Sequence, residues 1–316
     1  MQGIIISINK QVMRVFSMLL RTFTKHNQYY TTHDTESTET LRKSSRPHYS
    51  KQYITLANYT ITQTIGEGSM GIVFLAERIV DKQVKSYALK IIKGSSHPDN
   101  THAIKRFFQE AKATGQIKHP NIISVFEHGY AQEDNTPYLV MEFFKGKTLK
   151  KALRDGDSFG IELKLKIIKQ IASALEASHK LNIIHRDIKP DNIMINDQGL
   201  AKLADFGIAQ LPNSELTNPR QMIGTPHYLA PEAFNSPKVD HRADIYSLGT
   251  VAYELLLDVL PFKAGTITKL GCMIQSENPK EPLKLKAKLP VELQPILEKM
   301  LMKNPQDRYQ DVSEVI

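Results

Sequence analysis

From Tyr59 onward the chain alternates short β-branched and aromatic runs with turn residues: "YTITQTIG" (59–66), "GIVFLAER" (71–78), "SYALKII" (86–92), "IISVFEHGY" (122–130) and "YLVMEFF" (138–144). Runs of this length and composition predict five strands. Between them, "AIKRFFQEAKATGQI" (103–117) has helical periodicity and stops before His119-Pro120, where the proline ring disfavours helical backbone at the residue ahead of it. After Lys147 the period changes. Leu165, Ile168, Ile171, Ala172 and Leu175 recur at three- and four-residue steps within 161–180, and the stretches 246–257 and 293–302 repeat the pattern. Such spacing puts one apolar stripe on each helix. The pattern predicts an α+β chain of two lobes: a small five-stranded antiparallel lobe with one main helix over 59–144, and a larger, mainly helical lobe over 145–316. The sequence stops at "DVSEVI", partway through the stretch expected to form the last helix, and it contains no internal repeat.

The segment 1–58 has a different texture and predicts a flexible basic extension. "MQGIIISINKQVMRVFSMLLRTFTK" lacks acids and mixes aliphatics with Lys10, Arg14, Arg21 and Lys25. Its longest apolar run falls far short of the roughly 20 residues a membrane span needs. A basic amphipathic helix lying on a membrane surface is one reading; a loosely structured extension is the plainer one and is preferred. The stretch 31–52, rich in Ser, Thr and charge, reads as a linker.

Composition narrows the function classes. The chain has 316 residues, 41% hydrophobic and 23% charged, ordinary for a soluble globular protein and long enough for two lobes. Net charge is +8, but the segment 1–58 holds eight Lys/Arg against three acids, +5 of that total, leaving +3 on the rest. No basic stripe interleaves with aromatics, so nucleic acid is not an expected partner. The single cysteine, Cys272, cannot form an internal disulfide; it is expected to pack as a small apolar residue in a reducing, cytoplasmic setting.

Three glycines, Gly66, Gly68 and Gly71, are spaced G-x-G-x-x-G. A dinucleotide fold requires a helix after them, and a Walker loop requires Lys-Ser/Thr; "IVFLAE" follows instead. The glycines sit between strands, where backbone N–H groups can approach phosphate oxygens that a Cβ would obstruct. Taken alone, the stretch reads equally well as an idle turn. Lys90 lies on the next strand-forming run but one, with Ala88 two before it on the same face, and Glu110 lies in the helical stretch that follows. "IIHRDIKPDNIMI" sets Asp187 and Asn192 five apart in a polar loop between apolar runs, and Asp205 of "ADFGIA" lies thirteen beyond Asn192. Asn and Asp supply the hard oxygen ligands that suit Mg²⁺ arriving with phosphates.

With these segments in order, followed by "APE", "DIYSLG" and "NPQDRY", the sequence resembles the eukaryotic-like (Hanks-type) protein Ser/Thr kinases over about residues 59–316, in phrasing closest to the bacterial branch. The resemblance implies MgATP as cofactor and Ser/Thr hydroxyls of proteins, including the kinase itself, as acceptors. It assigns Gly66, Glu67, Gly68, Ser69, Met70 and Gly71 to a hairpin over the phosphates. Val73 and Ala88 become the adenine roof, Met194 its floor, Met141 the gatekeeper, and Glu142 to Phe144 the hinge. Lys90, held by Glu110, contacts phosphates; Asp187 handles the acceptor proton; Lys189 neutralises the transferring group; and Asn192 and Asp205 hold Mg²⁺. Thr225 shapes the substrate shelf. Arg186 implies control by a phosphorylated loop residue, Thr217 first and Ser214 second, with Gln210 replacing an often cationic position and Arg106 as compensation. Glu232 with Arg308, and Asp244 with the catalytic loop, are assigned structural roles. His119, His128 and His227 read as loop or packing residues. Lys147, where kinases that seek arginine often carry an acid, argues against a strongly basic substrate motif. The alternative is a pseudokinase that uses the fold as a scaffold; loss of Lys90, Asp187 or Asp205 would favour it, and all three are present. Oligomeric state, substrate and pathway are not legible.

Overall fold

The computed structural model describes residues 54–68, 71–92, 104, 108–109, 111–131, 136–206, 226–236, 238–285 and 289–316. Six antiparallel strands form the first lobe: β1 (Ile54–Leu56), β2 (Tyr59–Glu67), β3 (Gly71–Val80), β4 (Gln83–Ile92), β5 (Val125–Tyr130) and β6 (Pro137–Glu142), in the order β1-β2-β3-β4-β6-β5. The five expected strands all appear. β1 is additional: Ile54 pairs with Ile61 and Leu56 with Tyr59, so the folded unit begins before the expected border at Tyr59. So short a strand carries no period-2 signal, and the Ala57-Asn58 turn, with both residues at positive φ, has no glycine to announce it. Asp81 and Lys82 make a similar tight turn between β3 and β4.

Alternation along each strand separates two apolar clusters. Ile61, Phe74, Ala76, Leu89 and Val140 pack on one side of the sheet, while Ala88, Leu139 and Met141, with half-buried Val73, pack on the other. The register sets Val73 opposite Lys90, Lys90 opposite Leu139 and Ala88 opposite Met141. Period 2 therefore gathers Val73, Ala88, Lys90 and Met141 on the face toward the second lobe. In the expected helix over 103–117, residues 104, 108–109 and 111–114 are helical among those described, with Ala111 fully buried against the Ala88 cluster.

The second lobe contains α1 (Leu149–Arg154), α2 (Ile161–His179), α3 (Arg242–Leu257), α4 (Ile267–Ser276), α5 (Pro282–Leu285) and α6 (Leu293–Met300). It also holds a small sheet, β7 (Lys147–Thr148), β8 (Ile193–Ile195) and β9 (Ala201–Leu203), in that order. These strands are too short to show in the sequence pattern. α2 buries Ile167, Ile171, Ala174 and Leu175, the stripe its spacing predicts. α3 is buried nearly all round, as a helix through the middle of a core must be. The final residues form a 3₁₀ turn, Val312–Val315, closed by an Asp311/Glu314 capping box, where the sequence pattern suggests part of a helix. Cys272 is exposed on α4, contrary to the expected packing role, because the apolar face of that helix is carried by Leu270 and Ile274.

Arg308 braces this lobe. Its guanidinium is fully buried and donates to both Glu232 oxygens, at 2.8 and 2.7 Å, and to the carbonyls of Met302, Arg242 and Lys303. A buried ion pair saturated with hydrogen bonds costs little when whole and much when halved. Arg308→Met, which strands the Glu232 carboxylate, is expected to lower unfolding free energy by about 3 kcal/mol, measured by denaturant titration.

Candidate active site

The expected glycine loop is the turn of the β2–β3 hairpin. The Gly68 N–H donates to the Gly71 carbonyl at 2.9 Å, closing the turn. At Gly71 the chain runs so close to β4 that a Cβ would overlap the Ile91 carbonyl oxygen, whereas one at Gly68 meets nothing within 4 Å. Two irregularities in the β2–β3 register, at Ile61/Gln63 and Thr64/Gly66, add local twist just ahead of the turn. Glu67 closes β2; Ser69 and Met70 lie outside the described residues.

Beneath the sheet, Lys90 is 5% exposed and its Nζ lies 2.7 Å from Asp205 Oδ1. Glu110, its expected partner, lies outside the described residues. Asp205 adopts φ +55, a conformation that costs energy for a residue with a Cβ. It is followed by Phe206, buried with its ring 4.6 Å from that of His185. The His185 imidazole is fully enclosed, and burial pushes its pKa below the ordinary value. Its two partners fix one tautomer: Nδ1 accepts the Asp187 N–H at 3.2 Å, and Nε2–H donates to the Ala204 carbonyl at 3.0 Å. A neutral ring thus ties the loop carrying Asp187 to the segment carrying Asp205.

Asp244 of α3 holds that loop from below. One carboxylate oxygen accepts the Arg186 N–H at 2.7 Å, and the other accepts the His185 N–H at 2.8 Å and His179 Nε2–H at 2.9 Å. Arg186 sits at φ +66, so the turn immediately before Asp187 is held in a sparsely populated conformation by these bonds. The Arg186 Nε is buried and has no hydrogen-bond partner among the described residues. Asp187 itself receives Lys189 Nζ at 2.9 and 2.7 Å on its two oxygens and Asn192 Nδ2 at 2.9 Å. The same Asn192 amide nitrogen donates to the Asp187 carbonyl at 2.8 Å. With its N–H groups engaged there, Asn192 has its amide oxygen left to offer a cation. That oxygen and the Asp205 carboxylate form a hard-oxygen pair, the donor chemistry that Mg²⁺ takes when substrate phosphates complete the shell.

At the end of β6, the Glu142 N–H donates to the Ser124 carbonyl at 2.8 Å, so of the expected hinge this N–H is already engaged within the protein. The Glu142 side chain accepts Lys202 Nζ at 2.6 Å and the Ser124 N–H at 3.3 Å. Lys202 and Ser124 carry no signal in the sequence, where a strand lysine points only to exposure. Met141 is buried in the Ala88 cluster, and Met194 sits half-buried on β8 opposite Lys202. Lys147 is paired with Asp157 at 2.6 Å and lies 3.9 Å from Asp155. Its charge is therefore partly offset by these two carboxylates. His119 accepts the Asn121 N–H at 3.2 Å, and His128 stacks on Phe108 at 5.1 Å. Arg106, Gln210, Ser214, Thr217 and Thr225 lie outside the described residues.

A bilobal fold whose cleft presents a glycine hairpin, a buried lysine, a lysine-paired aspartate and a hard-oxygen pair defines an enzyme class that handles nucleotide phosphates. The protein kinase domain family matches residues 59–315, and the chain belongs to that family. Serine/threonine-protein kinase PrkC of Bacillus subtilis is 35% identical over 260 residues, covering 81% of this chain and 39% of PrkC. Serine/threonine-protein kinase pkn3 of Myxococcus xanthus is 34% identical over 262 residues, covering 79% of this chain and 47% of pkn3. The chain thus spans less than half the length of these curated relatives. Among solved structures, the PknI kinase domain of Mycobacterium tuberculosis has a TM-score of 0.64 at 25% identity, over 83% of this chain and 94% of that one. Rad53 1-466 in complex with AMP-PNP gives 0.66 at 26% identity, over 82% of this chain and 64% of that one. The family uses ATP and Mg²⁺.

The two glycines separate steric from conformational demands. Gly71→Ala is expected to push β3 from β4 and lower unfolding free energy by about 2 kcal/mol, while Gly68→Ala, whose Cβ crowds no described residue, changes it by less than about 0.5 kcal/mol. Denaturant titration of each variant checks the contrast.

Proposed function

We propose that this chain is an active protein kinase domain that transfers the γ-phosphoryl of MgATP to serine or threonine hydroxyls of proteins, itself included. The observation that carries the reading is the Asp187 carboxylate bound by Lys189 and Asn192 at 2.7 to 2.9 Å, in the same cleft as the Lys90–Asp205 contact.

Transfer of a phosphoryl group through a loose transition state makes little covalent demand on the protein; positioning and neutralisation of phosphate charge dominate. Each residue has a part in that. Gly66, Gly68 and Gly71 allow backbone N–H groups to lie over the phosphates. Val73, Ala88, Met141 and Met194 enclose the base. Lys90 supplies a desolvated cation to the phosphates, and Glu110 is the residue proposed to steady it. Asp187 accepts the acceptor hydroxyl's hydrogen bond and orients its oxygen for in-line attack. Lys189, already beside Asp187, is placed to turn toward the transferring oxygens. Asn192 and Asp205 would hold Mg²⁺, which, when bound, offsets charge on the phosphate oxygens. A lysine two residues after Asp187 fits Ser/Thr rather than tyrosine acceptors by family resemblance, and the relatives named above are Ser/Thr kinases. The scaffold alternative draws no support from the site, since no catalytic position is missing.

The buried Arg186 Nε, without a hydrogen-bond partner among the described residues and beside a strained turn, supports control by a phosphate on the following segment, Thr217 being the proposed carrier and Thr225 the proposed shelf residue. We place the domain in the cytoplasm, as one cysteine and the use of ATP suggest. No helix among the described residues is long and apolar enough to cross a membrane.

Incubation with labelled ATP and Mg²⁺ tests the reading: phosphate enters the wild type and a generic acceptor such as casein, falls by at least about 10²-fold in Asp187→Ala, and ceases when EDTA removes the metal. Absence of any transfer by the wild type would leave the scaffold alternative. Thr217→Ala is expected to lower both autophosphorylation and turnover by roughly tenfold if a loop phosphate pairs with Arg186; unchanged phosphate incorporation and turnover would remove Thr217 as the switch.

A further inference from the structure

α1 opens beside the loop that carries Asp187. Lys150, the second residue of that helix, has its Nζ 3.6 Å from Asp191 Oδ2, and Asp191 lies in the turn Pro190–Asn192, just past Asp187 and Lys189. The same ammonium is within electrostatic reach of Glu254 on α3 and of His227 in the turn Pro226–Tyr228. Three separate elements thus converge on one cation beside Asp187. The neighbouring charges are engaged or carry the same sign. Glu254 accepts the Tyr228 phenol at 2.6 Å, and burial raises its pKa above the ordinary carboxylate range. Burial, and after it the charges of Lys150 and Lys263, push His227 below the ordinary imidazole value, so its ring is neutral at neutral pH. Residues 145–157 hold Lys145, Lys147, Lys150, Lys151 and Arg154 against Asp155 and Asp157. Both of those acids are taken up by Lys147, and Arg154 also lies 3.7 Å from Asp155. Lys145, Lys150 and Lys151 are exposed. Lys150 therefore belongs to a basic rim, with Asp191 as its direct ion-pair partner among the described residues.

The Lys150–Asp191 contact is suited to exchange. Its members are 55% and 48% exposed, and 3.6 Å is longer than a charge-assisted hydrogen bond, so the pair adds little to stability. Its two ends differ in freedom. The ammonium rides on a flexible four-carbon stem that can follow a ligand, whereas Asp191 is fixed by a short side chain in a turn whose flanking residues, Pro190 and Asn192, are buried. An acidic side chain on an approaching protein can therefore draw Lys150 across to itself. A cationic one meets the ammonium directly, with Lys145, Lys151 and Lys263 adding to the same field. We propose that Lys150 is a specificity-determining residue: it selects protein acceptors that carry acidic side chains close to the target hydroxyl and turns away those that carry basic ones. This rests on the kinase reading above and names the substrate class for that site. A Lys150 that merely tied α1 to the catalytic loop would affect all acceptors alike, whereas charge selection shows in the ratio between acceptors of opposite charge.

Steady-state kinetics on the full chain separate the two roles, using two peptides with a single serine that are identical except for its flanking residues, glutamates in one and lysines in the other. Wild type is expected to favour the acidic peptide by about tenfold in kcat/KM, mainly through KM. In about 0.5 M NaCl the preference shrinks, because the charges involved are exposed. Lys150→Met brings the ratio at least about threefold closer to parity, Lys150→Glu reverses it in favour of the basic peptide, and Lys150→Arg keeps it within about twofold of wild type. KM for ATP stays constant throughout. A wild type that favours the basic peptide or treats the two alike, a ratio unchanged in Lys150→Glu, or a parallel loss of activity on both peptides would overturn the proposal. Lys150→Met carries the test if Lys150→Glu does not fold. A wild type that transfers phosphate to neither peptide nor to casein would overturn the kinase reading itself, an outcome distinct from transfer to both peptides at equal rates.

Discussion

A buried carboxylate with three donors is the constraint on which the catalytic half of the molecule depends. Asp244 is 0% exposed, and an ion removed from water in this way is tolerable only when its lone pairs are filled. The donors come from His179 at the end of α2 and from the consecutive N–H groups of His185 and Arg186. Satisfying the charge thus requires the backbone to turn in an otherwise unfavourable way at Arg186, and the next residue is Asp187. Strain and charge balance each other: the left-handed turn exposes two adjacent N–H groups to one carboxylate, and the carboxylate holds the turn.

From that anchor the remaining catalytic groups follow in sequence. His185, locked in one neutral tautomer by its burial and by the Ala204 carbonyl, couples the loop to the Asp205 segment. Asn192 directs its amide hydrogens to Asp187, which decides the orientation of its oxygen. The first lobe meets this assembly through Lys90 and through the Glu142–Lys202 pair, one contact at the chemistry and one at the hinge. Both are charge pairs with one well-buried partner, Lys90 and Lys202, so each is screened less by salt than an exposed pair of the same length and costs more to break by removing one member.

What the sequence conveys depends on the range of the signal. Alternation in "SYALKII" and "YLVMEFF" marks the strands and, with them, the shared face of Ala88, Lys90 and Met141; the short polar loop around Asp187 is legible because apolar runs flank it. β1 and the β7-β8-β9 sheet are not, since strands so short hold no period. Lys202 escapes for a different reason. Its partner Glu142 is distant along the chain, on a strand of the other lobe, and nothing near "AKLADFG" marks that lysine as buried. Lys147 shows the opposite limit. Asp155 and Asp157 lie a few positions downstream, across the short helix α1, and the turn at Gly156, with φ +76, returns them to it; local sequence shows the charge but not the fold-back that pairs it.

Charge balance also governs the Lys90–Asp205 contact. Lys90 is 5% exposed, too enclosed to remain a lone cation at low cost, and Asp205 is a carboxylate at the same cleft wall. Pairing at 2.7 Å lets each compensate the other's desolvation when no phosphate is at hand. On the proposed reading, Lys90 would turn to phosphate oxygens and Asp205 to a divalent cation when nucleotide binds, so each would exchange one opposite charge for another and phosphate binding would not first have to repair an uncompensated charge. It also assigns the two residues unequal freedom. Lys90 sits in mid-strand with Val73 and Leu139 opposite it, so only its flexible side chain can move. Asp205, at φ +55, lies between a buried phenylalanine and a carbonyl held by His185, and its backbone is the fixed reference against which the lysine adjusts.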